Sequence, residues 1–251
     1  MERSKIFLFI ICLLFSSCGE NLEDPDPPSR PQWIEKSLPY DTTESGIDAD
    51  PNGDVIVLEW LTGNEDDLDS YRIYRTSGST EEDFILLDEM NANPVAGSES
   101  EYIDENITVG SFYFYFIRAV DQAGNLSPRS DTLEYKITQK VNILSPSGTI
   151  ATVKPTFQWA DPVSASSEYV IRVEQFSPNR VIWLAGLTRQ TYTVGEPQSL
   201  VYGAGTVFYL AQSELSRGVN YRWRLDAVTS FNRDNTEIAG SESNWGYFII
   251  Q

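Results

Sequence analysis

Residues 107–120, ITVGSFYFYFIRAV, and residues 215–228, LSRGVNYRWRLDAV, follow one pattern written twice. Ile107, Gly110, Tyr113, Tyr115, Ile117, Ala119 and Val120 align with Leu215, Gly218, Tyr221, Trp223, Leu225, Ala227 and Val228. From Tyr113 to Ala119 and from Tyr221 to Ala227 the aligned positions fall two apart, so they share one face only if the backbone is extended. Upstream the correspondence continues, with VIVLEW ending at Trp60 against PTFQW ending at Trp159, and YRIYR from Tyr71 against YVIRV from Tyr169. A strand with one apolar face must bury it against a second layer. Turn signals at Asn52-Gly53, Gly63-Asn64, Gly124-Asn125 and Ser147-Gly148 separate the strands, and no helical period is sustained. The chain therefore reads as all-β, built of two tandem β-sandwiches. Its 251 residues suffice for two domains that bury cores without covalent staples.

Residues 113–130, YFYFIRAVDQAGNLSPRS, resemble the fibronectin type III family. That family carries a tryptophan on its second strand, then Y-x-[YW]-x-[VIL]-x-A-V, a Gly-bearing loop and a Ser-rich return. The resemblance implies two immunoglobulin-like sandwiches, at residues 31–140 and 141–251. It also implies that Tyr113 and Tyr221 tie down a corner by bonding nearby backbone. The second copy departs from the pattern twice. It has extra sequence, SLVYGAGTVFYLAQSE, and a longer last loop, TSFNRDNTEIAGSES.

The N-terminus carries a different signal. Residues 1–17 hold Arg3 and Lys5, then an apolar run from Ile6 to Phe15, then Ser16 and Ser17. A run of that length is too short to span a bilayer, which takes roughly 20 residues, and reads as a signal peptide. LLFSSC resembles the lipobox of bacterial lipoproteins, which implies that Cys18 is lipid-modified and anchors the chain to a membrane. An ordinary cleaved signal with a stray cysteine is the other reading. Residues 18–30 are rich in acid and proline and read as an extended tether. The acids after Cys18 resemble the export signal of some Gram-negative surface lipoproteins, and a plain spacer explains them as well. The expected location is the cell envelope, as an outer-membrane lipoprotein facing the periplasm or the surface.

Asp48 to Glu59 matches the calcium-loop pattern D-x-[DN]-x-[DN]-G-x5-E. An EF-hand needs flanking helices, and here proline, glycine and β-branched residues stand on one side and an alternating strand on the other. Glu59 falls inside that strand and cannot close an ion shell. The stretch reads as a turn between the first two strands. A weak calcium site would draw on Asp48, Asp50, Asn52 and Asp54.

Charge divides the copies. Residues 19–140 hold 27 acids and 8 bases, and residues 141–251 hold 9 acids and 8 bases. The field of the first copy repels nucleic acid and anionic headgroups. There is no histidine, and Cys18 is the only thiol past the leader, so triads, thiol dyads and imidazole-ligated metals are out of reach. The chain reads as a non-enzyme. Trp183, Tyr202, Phe208 and Tyr209 form either an exposed aromatic surface for a sugar or protein partner or an added edge strand packed on the sheet. The expected role is a binding or spacer module of the envelope. The rivals are a carbohydrate-binding accessory protein, a subunit of an envelope complex and a calcium-dependent adhesin.

Overall fold

The computed structural model describes residues 25–35, 46–77, 83–163, 165–231 and 237–251. The leader and Cys18 lie outside them. The first copy contributes β1 (Gln32–Trp33), β2 (Ile47–Ala49), β3 (Ile56–Leu61), β4 (Leu68–Ser77), β5 (Ile85–Asn91), β6 (Glu99–Asp104), β7 (Tyr113–Asp121) and β8 (Leu133–Ile137). β3 pairs with β6 along one side and with β1 and β2 along the other. The facing sheet runs β5-β4-β7-β8. Alternation is what builds this layer, since Ile56, Leu58 and Trp60 of β3 point into the core with Ile73, Tyr115 and Tyr135.

The second copy contributes β9 (Asn142–Ser145), β10 (Gly148–Ile150), β11 (Thr156–Ala160), β12 (Glu168–Phe176), β13 (Asn179–Thr188), β14 (Pro197–Val201), β15 (Thr206–Leu210), β16 (Asn220–Phe231), β17 (Glu237–Glu242) and β18 (Gly246–Ile250). One sheet runs β14-β11-β9 and the other runs β15-β13-β12-β16. β17 pairs with the end of β16 and β18 with its beginning, and β10 lies parallel on β18. The core holds Phe157, Trp159, Trp183, Tyr221 and Trp223.

The repeat written in the sequence is a repeat of packing. Trp60 meets Tyr71 edge-on at 5.3 Å and 67°, and Trp159 meets Tyr169 at 5.4 Å and 64°. Tyr113 accepts the Thr108 N–H at 2.8 Å, and Tyr221 accepts the Ser216 N–H at 2.8 Å, both from five residues upstream. The serine of the return also recurs. Ser130 accepts the Ile117 N–H at 3.0 Å and Ser243 accepts the Leu225 N–H at 2.9 Å. Each of these bonds satisfies a backbone donor that no neighbouring strand reaches.

The two sandwiches are one sheet system. β17 pairs in parallel with β8, Ala239 beside Lys136 and Gly240 beside Ile137. This joins the two larger sheets into a single sheet of eleven strands.

Candidate functional site

Polar contacts join the two copies at the seam. Thr138 donates its N–H to the Gly240 carbonyl at 2.8 Å. Tyr135 donates its hydroxyl to Glu237 Oε1 at 3.1 Å, and Ser241 donates to the Gln139 carbonyl at 3.3 Å. Tyr135 and Glu237 are both buried. A buried carboxylate carries a desolvation cost that only close donors offset, so Glu237 ties the position of β17 to that of Tyr135. Gly240 makes this packing feasible, because a Cβ there would run into the Glu237 carboxylate and lie 3.0 Å from the Ala227 carbonyl. On the same side, Arg224 pairs with buried Glu242.

Lys140, the last residue of the first copy, folds back onto that copy and donates to the Asp50 carbonyl at 2.7 Å. Burial pulls its ammonium below the ordinary lysine range, and the charges of Asp54 and Asp50 oppose that shift. The calcium-like loop thus already faces a cation from its own chain. Asp48 is buried on β2 with Oδ1 accepting the Ala49 N–H at 2.7 Å, and Asp50 Oδ1 accepts the Asn52 N–H at 2.6 Å. Asn52 and Asp54 are exposed. Among the described residues no group of three or more acidic side chains converges in a way that could hold a metal, Asp48, Asp50 and Asp54 included. Glu59 lies in β3, paired opposite Glu101.

The aromatic candidates separate. Trp183 is fully buried, 5.5 Å from Phe157 and 5.2 Å from Tyr202. Tyr202 is buried as well and donates its hydroxyl to the Gln212 carbonyl at 2.8 Å, and burial raises its pKa. These two residues belong to the core, which removes them from any sugar-stacking surface. β15 lies beside β13 as its edge neighbour in the same sheet, and Trp183 on β13 points into the core between the sheets. Phe208 and Tyr209 lie on β15 and stay exposed. The added segment is an edge strand, and it carries only half of the expected aromatic set to the surface.

The end of the expected tether is docked. Pro28 is buried, Ser29 donates its N–H to Glu65 Oε1 at 2.8 Å, and Arg30 pairs with Asp131. The Ser29 bonds hold the Glu65 carboxyl below the usual carboxylate range, although partial burial works against them. Trp33 Nε1 donates to the Asp131 carbonyl at 2.8 Å. Between this segment and β3 lies a cleft of about 270 Å³ lined by Arg30, Thr62, Asn64, Glu65 and Tyr71. Its hydroxyls are engaged by neighbours, with Thr62 Oγ1 and Ser100 Oγ 2.9 Å apart and Tyr71 accepting the Gly63 N–H at 2.8 Å.

No family model and no curated protein matches the sequence. Among solved structures, the chain is similar to the FN1–FN3 domains of chicken contactin (CNTN1), with 13% identity over 90% of this chain and 68% of that one and a TM-score of 0.35. It is also similar to a segment of two fibronectin type III domains from chicken tenascin, with 15% identity over 90% of this chain and 99% of that one and a TM-score of 0.28. The fold assignment rests on the two facing sheets of each copy, with four strands in the smaller sheet of the first copy and three in that of the second, and on the recurring tyrosine and serine bonds.

Proposed function

We propose that this protein is a non-catalytic spacer or binding module of the cell envelope, anchored through Cys18 at the outer membrane and facing the periplasm or the surface. Its two sandwiches work as one stiff arm that holds a protein or polysaccharide partner at a set distance from the membrane. The β8–β17 pairing is the observation that supports this reading. Tandem domains with small polar interfaces move relative to one another by default, whereas strands hydrogen-bonded across the boundary resist bending and twisting together. The docked residues Pro28 to Trp33 shorten the free tether, so less slack separates the arm from the lipid.

Gly240→Val, which forces the Glu237 carboxylate off its seat, tests the arm. Small-angle scattering should fit one rigid elongated body for the wild type and a distribution of bent shapes for the variant. A wild type that already scatters as a flexible pair of beads would remove the stiff-arm reading. The anchor is tested separately, since Cys18→Ala should release the protein from membranes, and undiminished membrane retention would remove the lipid attachment.

A further inference from the structure

Every sheet ends in strands whose outer backbone groups can pair with another chain unless something prevents it. Among the described residues, this molecule guards its edges in three ways. β5 carries Asp88 and Glu89, and β6 carries exposed Glu99 and Glu101. β1, β2, β9 and β10 are two to four residues long. β14 is covered by the Gln190 side chain, which donates to the Ser199 carbonyl at 3.0 Å and accepts the Ser199 N–H at 3.2 Å.

β15 has none of these protections. It is the last strand of the eleven-stranded sheet, paired only with β13. No charged residue occurs from Pro197 to Ser213, in a chain that is 22% charged. Val207, Phe208, Tyr209 and Leu210 are each 38–43% exposed, so the strand overhangs the sandwich instead of closing it. Phe208 is the residue displaced by the irregularity against β13, and its ring fills the space over Gly186, where a Cβ would lie 3.0 Å from Phe208 Cζ.

We propose that β15 is an interaction edge to which the β15 of a second copy of this protein adds antiparallel. Charge selects this occupant. Pairing β15 with the β5 edge of another copy would press Asp88 and Glu89 against a strand that offers no cation, which adds a desolvation cost even though Arg72 and Ser70 already hold Glu89. Pairing β15 with itself brings two nearly neutral second domains together and buries no charge, while the strongly acidic first domains stay out of the contact. Full overlap of the five-residue strand with its own reverse centres the contact on Phe208, so Val207 faces the partner's Tyr209 and Tyr209 faces the partner's Val207. A contact of this kind is two-fold and closes at a dimer.

The test measures the mass of the full chain in a mild non-ionic detergent by light scattering across a wide range of concentration, with the detergent contribution subtracted. The wild type should rise about twofold, from monomer to dimer, and no further. Val207→Lys alone and Tyr209→Glu alone should each stay monomeric with an unchanged strand signature in circular dichroism, since both side chains are exposed. An equimolar mixture of the two variants should regain the dimer, because the introduced ammonium then faces the introduced carboxylate. A wild type that stays monomeric throughout, a dimer that survives Val207→Lys, or a mixture that fails to pair would each overturn the proposal.

Discussion

The two sandwiches agree at their centres and differ where the penultimate strand turns back. In the first, β8 pairs with β7 only from Tyr113 to Tyr115. Above that point the Ser127 and Ser130 hydroxyls take the Ala119 and Ile117 N–H groups at 2.9 and 3.0 Å, so the return stays a loop. In the second, the longer return pairs as β17 with Asp226–Phe231, breaks at Ser243, and resumes as β18. A strand in that position exposes an outer edge, and the edge of β8 is there to receive it. The longer return of the second copy thus supplies the strand that pairs with β8.

The largest effect should come from the shared centres. Trp60→Ala and Trp159→Ala each leave a large cavity and should cost about 3–5 kcal/mol, read by denaturant unfolding. Costs that differ widely between the two would break the equivalence of the cores. Next come the corner tyrosines. Tyr113→Phe and Tyr221→Phe each orphan one backbone N–H and should cost about 1–3 kcal/mol. Losses near zero in both would show that the corner bond has no energetic part in this fold. The smallest effect concerns the Asp48 loop, which has no counterpart in the second copy. Calcium and magnesium at matched ionic strength should change the melting temperature equally, because the ammonium of Lys140 already faces that loop and the carboxylates do not converge. A rise specific to calcium that Asp50→Asn abolishes would overturn this and would make the copies functionally distinct.

Strand identity was legible because it is local. Alternation in VIVLEW and YFYFIRAV decides which side chains share a face whatever lies beyond, and Tyr113 meets its partner five residues away. The aromatic set was half legible for the opposite reason. Trp183, Tyr202, Phe208 and Tyr209 look alike in sequence, and their exposure depends on whether the opposing sheet reaches over them. Trp183 and Tyr202 come from opposite sheets and bury each other in the core, whereas Phe208 and Tyr209 stand exposed on the edge strand β15.

By itself, then, the sequence determined the all-β class, the repeat and the residues that face each core, since two-residue periodicity is a property of the chain alone. The tertiary structure decided the rest through contacts between distant segments. Lys140 reaches Asp50 across 90 residues and Tyr135 reaches Glu237 across 102. Neither pairing leaves a periodic trace, because the first depends on how the first sandwich folds back on itself and the second on how the two sandwiches are set against each other.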